Sequence, residues 1–143
     1  MRVAFRVDSS NLIGAGHLTR CLKLAADLKK KSKKIIFITK DLCGNFNNLI
    51  KKKNFKIFLI KNTNSKNKLN YDKNKLNYDY EETKNICEKN NINTLIVDHY
   101  YLGLNWEKKT RRYINNLVFI DDFTNKKHYS DLTINNLSKK KTK

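Results

Sequence analysis

The chain alternates between two hydrophobic periods from one end to the other, and few folds accept that pattern. Short apolar runs occupy residues 2–7, 35–39, 55–60, 94–97 and 117–120, with a sixth, shorter run at 131–134. Between them, residues 16–31, 46–53, 78–90 and 104–116 carry apolar side chains at helical spacing. In the first of these the set is Leu18, Cys21, Leu22, Leu24, Ala25 and Leu28. Side chains return to one face every two residues on a strand and about every 3.6 on a helix, so the pattern predicts strands and helices in turn. The strands read apolar on both faces, as they do in a parallel sheet covered by helices on both sides. With right-handed crossovers the expected architecture is α/β, a Rossmann-like doubly wound parallel sheet. The length of 143 residues suits one domain. Its expected extent is residues 1–137, followed by a basic tail at 138–143 that reads as a frayed end.

In such sheets ligands collect beyond the carboxyl ends of the strands. The residues there are Asp8, Lys40-Asp41, Asp98-His99-Tyr100 and Asp121-Asp122, far more polar than the strands they follow. Two readings of Asp98 and Tyr100 stand side by side. A carboxylate and a phenol at a strand end can orient a sugar or a base, or the carboxylate caps the next turn while the tyrosines pack. Asp121-Asp122 reads first as loop or cap carboxylates.

The loop after the first strand is Ile13-Gly14-Ala15-Gly16-His17. Its G-x-G lacks the third glycine of the dinucleotide fingerprint, where Thr19 stands, and no acidic residue closes the second strand. It also lacks the GK[ST] of a P-loop. What remains is a loop whose amides can face an anion at a helix N-terminus. The chain has no proline and only four glycines. Two of them spaced by one residue suggest that backbone comes close to a ligand there. His17 falls in the first turn of the helix, where the partial positive charge disfavours imidazolium. A neutral imidazole is what a general base needs near neutral pH. The plainer reading is a histidine that bonds a backbone group or Asp8.

The remaining features mostly exclude. His17, His99 and His128 lie in separate segments with no HxH or HExxH spacing, so no metal site and no cofactor are expected. Cys21, Cys43 and Cys87 form no CxxC and no even framework, and Cys21 reads as core. The formal charge of +18 invites a nucleic-acid reading, but only five of the 31 basic residues are arginine and the lysines are scattered. A solvated surface is the better expectation. No leader is visible and no apolar run is long enough for a membrane span, so the expected compartment is the cytoplasm. Finally, NKLNYDK at 67–73 is followed at once by NKLNYDY at 74–80. Two copies are too few for a repeat architecture, and the pair reads as a duplication in an exposed loop that extends a helix by two turns.

Taken together, three motifs resemble one family. RVDSSNLIGAGHLTRCLKLA at 6–25 is similar to the opening of the UDP-2,4-diacetamido-2,4,6-trideoxy-β-L-altropyranose hydrolases of pseudaminic acid biosynthesis. Val97-Asp-His-Tyr100 resembles their second motif, and Ile120-Asp-Asp122 with His128 and Asp131-Leu132 resembles their third. The resemblance implies the N-terminal lobe of a glycosyltransferase-B-like fold and metal-independent hydrolysis of a UDP-sugar with inversion at the anomeric carbon. It places the catalytic base on His17 and the active-site tyrosine on Tyr100, with Asp8, Gly14, Gly16, Arg20 and Asp98 shaping the substrate pocket. It also implies a second, nucleotide-binding lobe that 143 residues do not hold, so a separate C-terminal lobe is an expected partner and the chain alone an incomplete enzyme. A non-catalytic partner lobe of a split enzyme, or a related UDP-sugar transferase, is the alternative.

Overall fold

The computed structural model describes residues 1–63, 71–123 and 126–135. Along the chain run β1 (Arg2–Val7), α1 (Gly16–Leu28), β2 (Lys34–Lys40), α2 (Asn47–Lys52), β3 (Lys56–Ile60), α3 (Lys73–Lys89), β4 (Thr94–Asp98), α4 (Leu104–Thr110), β5 (Asn116–Ile120) and β6 (Leu132–Ile134). The six strands form one sheet in the order β3-β2-β1-β4-β5-β6, and every pairing is parallel. The chain winds outward from β1 to β3, crosses the sheet, and winds outward again from β4. The direction reverses between β1 and β4, and at that point strand ends diverge enough to leave a crevice.

Strand alternation sorts β1 between two cores. Val3, Phe5 and Val7 pack with Leu18, Cys21, Leu22 and Ala25 of α1, and Phe5 stacks on Phe37. Those α1 residues sit at the i, i+3, i+4, i+7 positions of one helical face. Ala4, on the opposite face of the strand, packs in the cluster that holds Tyr80 and Cys87 of α3 and Trp106 of α4. Arg6 lies on that same face and is wholly buried. A cation in a central strand survives only when it is paired. Asp8 lies two residues on and Asp79 on α3, and both carboxylates bond its guanidinium. Burial alone would lower the Arg6 pKa, and the two carboxylates outweigh it and raise it.

Two helices differ from the periodicity reading. α3 begins at Lys73 rather than 78, because Asp72 caps it by accepting a bond from the Lys75 amide at 2.9 Å. The second copy of the duplicated heptad is thus the first two turns of α3. Residues 67–70 of the first copy, and the tail at 138–143, lie outside the described residues. α4 stops at Thr110 rather than running to 116. Its last bonds tighten from i−4 to i−3, and Asn116 must already be extended to pair with Thr94. Among the described residues no helix is long and apolar enough to cross a membrane.

Candidate functional site

A cavity of about 150 Å3 opens at the point where the strand order reverses. Asp8, Leu12, Ile13, His17, Asp98, His99, Tyr100 and Tyr101 line it. Asp98 is the last residue of β4 and is 1% exposed. Its carboxylate accepts from His17 Nδ1 at 2.6 Å, from Arg20 Nε at 2.5 Å and from Arg20 Nη2 at 2.8 Å. Burial would push this carboxyl up, but the bonds from Arg20 and His17 outweigh it and hold Asp98 below the usual carboxylate range. An ionised Asp98 fixes the tautomer of His17. Nδ1 carries the hydrogen, and the lone pair is left on Nε2, which bonds no described residue. That is the arrangement of a base oriented by a carboxylate.

Arg20 reaches Asp98 from one helical turn beyond His17, because residues three apart on α1 share a face. It also bonds Asp122 at 2.7 Å, and the Tyr100 hydroxyl donates to the same carboxylate at 3.1 Å. These bonds hold Asp122 low, with Arg20 the largest cause. The Tyr100 ring meets the His17 ring edge-on, with centroids 4.4 Å apart. Asp122 therefore does not act only as a loop carboxylate. It ties the end of β5 to α1 and to Tyr100.

Asp8 holds the other wall. It bonds Arg6, the Lys40 amide at 2.7 Å, and His99 Nε2 at 2.7 Å. His99 Nδ1 accepts from the Tyr101 amide at 3.1 Å, so its hydrogen sits on Nε2 and points at Asp8. Burial works to raise the Asp8 pKa, but Arg6 and His99 keep it far below the carboxylate range. Tyr71, contributed by the first heptad copy, stacks on Tyr101 at 4.8 Å and donates to Asp8 at 3.4 Å. Burial pushes its phenol up, so it stays a donor.

Of the seven sequence-selected residues, Asp8, His17, Asp98 and Tyr100 line the cavity. Arg20 acts behind them as the counter-ion of Asp98 and Asp122. Gly14 and Gly16 do not line it. Gly14 takes φ +84° and donates its amide to Ser10 at 2.7 Å, so it turns the loop that delivers α1. A Cβ on either glycine would meet nothing within 4 Å, which leaves that side of the loop open. Of the plain reading of this cluster, the tyrosines do pack, Tyr101 on Tyr71 and Tyr100 on Phe123, whereas the Asp98 carboxylate bonds His17 and Arg20. Arg6, Asp79 and Tyr71 do not stand out in the sequence as site residues, and Asp122 reads there first as a loop or cap carboxylate. A lone arginine inside an apolar strand was the available signal for the first two, since it demands buried counter-ions.

Strand order and a crevice at the reversal make this an α/β Rossmann-like doubly wound parallel sheet, and its likeness to a solved structure is to a lobe of the glycosyltransferase-B-like fold. Among solved structures, MurG of Acinetobacter baumannii is similar, with a TM-score of 0.59 and 13% identity over 84% of this chain and 34% of that one. The likeness is one of fold, and this chain spans about a third of the length of MurG. No family model and no curated protein matches the sequence.

Proposed function

We propose that the chain is the N-terminal lobe of an enzyme that acts at the anomeric carbon of a UDP-sugar, with His17 as general base. The observation that carries the proposal is the Arg20–Asp98–His17 relay, which leaves Nε2 of His17 unbonded at a cavity beside the strand reversal. Water or a hydroxyl is a poor nucleophile until its proton is taken as it attacks. His17 Nε2 takes that proton. The imidazolium that forms is held by Asp98, whose charge Arg20 already balances. The oxygen–C1 bond forms as the C1–oxygen bond to the diphosphate breaks, and UDP leaves with the electron pair. A single displacement from the face opposite UDP inverts the anomeric centre. Tyr100 borders the same space and contacts the sugar or the nucleophile, while Asp8 and His99 offer polar groups to the sugar from the other wall.

With water as nucleophile the reaction is hydrolysis, and the resemblance of the three motifs names the substrate as the UDP-linked 2,4-diacetamido-2,4,6-trideoxy sugar. With an acceptor hydroxyl the same base serves a transferase. MurG, a UDP-sugar glycosyltransferase, shares the fold and favours this second reading. In either case the diphosphate contacts come from a second lobe.

The test is UDP release from the diacetamido sugar nucleotide, followed by NMR, with the chain alone and mixed with a C-terminal lobe of a family hydrolase. Release of inverted free sugar that falls about a hundredfold or more in His17→Ala supports hydrolysis. Release that needs an added acceptor supports transfer. Release unaffected by His17→Ala sinks the general-base assignment.

A further inference from the structure

A second concavity lies between α3 and α4, with a volume of about 890 Å3 and no lining residue in common with the His17 cavity. Its α3 wall presents Lys73, Leu76, Asn77 and Tyr80, spaced i, i+3, i+4, i+7. Its other wall presents Asn105, Lys108, Lys109 and Arg112 at the same spacing. The α3 set shares one helical face, as do Asn105, Lys108 and Lys109 on α4, with Arg112 just past the end of that helix, and the two walls look at each other across a groove. Four cations stand on these walls and no carboxylate does. This segregation is not a result of composition alone, because both elements carry acids. The acids of α3 are Asp79, Glu81, Glu82 and Glu88, and that of α4 is Glu107, and none of them lines the groove. Asp79 is spent on Arg6, and Glu107 on His128.

The four cations have no ion-pair partner among the described residues. Lys109 Nζ bonds the Asn77 amide oxygen at 3.1 Å and lies 5.4 Å from the centre of the Tyr80 ring, both neutral partners. Lys108 Nζ lies 5.8 Å from the Tyr129 ring. Trp106, 3% exposed, is also part of the lining, and its indole Nε1 has no acceptor among the described residues. Unpaired lysines recruit compact, multiply charged anions. The two ring systems that line the groove, Tyr80 and Trp106, are both nearly buried, so neither offers a platform for stacking the bases of a nucleic-acid strand.

We propose that the groove between α3 and α4 is a second binding site, for the phosphate groups of a soluble phosphorylated molecule. Lys73, Lys108, Lys109 and Arg112 neutralise the phosphates, and the Asn77 and Asn105 amides supply directed hydrogen bonds. Leu76 and Tyr80 give the organic portion of the ligand an apolar seat. The volume falls within the range of small-molecule sites.

The chain contains one tryptophan, so its fluorescence reports on Trp106, which lines this groove and packs on Phe119. Sodium tripolyphosphate is titrated against NaCl of equal ionic strength, and calorimetry of the same titration reads binding independently of the indole. The expected result is saturable binding that Lys108→Ala/Lys109→Ala weakens about tenfold or more, each charge-assisted contact being worth roughly that factor. Lys29→Ala/Lys30→Ala, on exposed lysines after α1, keeps full affinity, and circular dichroism confirms that both variants fold. No saturable heat, or equal affinity in the Lys108/Lys109 variant, overturns the site. Binding to phosphatidylglycerol vesicles with none to tripolyphosphate also overturns the proposal and assigns the groove to a lipid headgroup. None of these variants touches the His17 site, so the outcome is independent of the UDP-sugar reading.

Discussion

Asp98→Asn is the substitution on which the site reasoning can be tried most severely. The wild-type carboxylate accepts three charge-assisted bonds, one from His17 and two from Arg20. Asparagine keeps one acceptor oxygen and turns an N–H group toward at least one of the remaining donors. Each lost bond to a charged group is worth about 1.5–3 kcal/mol. Arg20 retains Asp122 and its side chain is 26% exposed, so its share is discounted for solvent. The net cost is about 3 kcal/mol, or a fall in melting temperature of about 10 °C for a domain of this size. The pH dependence has a definite sign. The native carboxyl sits below its unfolded value, so the stabilisation is complete above about pH 4 and is lost as pH falls through the native value. Thermal melts followed by circular dichroism should show a constant gap between wild type and variant from pH 8 to 5. The gap should narrow only below about pH 4. Asp27→Asn, on the exposed side of α1, is the control and should show no gap. A variant that melts within about 2 °C of wild type at pH 7, or a gap as wide at pH 3.5 as at pH 7, refutes the reasoning.

Three further outcomes are expected. Gly14→Ala forces a Cβ into φ +84° and should cost about 1–2 kcal/mol, whereas Gly16→Ala, at the start of α1 with open space around it, should cost nothing; melts in the reverse order would contradict the loop geometry. His128 meets Glu107 at 2.7 Å and Asp121 at 2.5 Å, so both ring nitrogens donate. Burial works to lower its pKa but these carboxylates raise it; the stabilisation is full below the ordinary histidine value and lost as pH rises through the native one. The melting gap between wild type and His128→Gln should therefore be widest near pH 6 and close toward pH 9. Arg6→Met strands Asp8 and Asp79 and should cost about 3–5 kcal/mol, of which Arg6→Met/Asp79→Asn recovers a measurable part in urea unfolding; strict additivity of the two would show that the pair is not coupled.

The architecture was legible because two-sided apolar strands and amphipathic helices each have their own period. The strand ends also revealed where to look, since Asp8 and Asp98 interrupt apolar runs at the carboxyl side. What the sequence hid was pairing at long range. Arg20 and Asp122 are separated by 102 positions and meet only because β5 lies beside β4. Asp79 sits where the duplicated heptad runs into a helical pattern, and nothing local marks it as the counter-ion of Arg6. The end of α4 was misread for a similar reason, because the pairing of Asn116 with Thr94 overrides a helical pattern that continues through Tyr113. Local periodicity carries elements, while charge partners are set by topology.

The duplicated heptad shows how a copying event can change a fold's dimensions without changing its register. Seven residues turn a helix through nearly two full revolutions, about 20° short of closure. Inserting them lengthens the helix by about 10 Å and returns every later residue to its former side. The two aspartates of the pair have consequently diverged in duty while remaining identical in sequence: Asp72 caps α3, and Asp79 is buried against Arg6. The start of α3 is thus a slot for length variation. Each added heptad would extend one wall of the α3–α4 groove and leave Arg6 with its partner, whereas an insertion of five residues would rotate the new turns away from both.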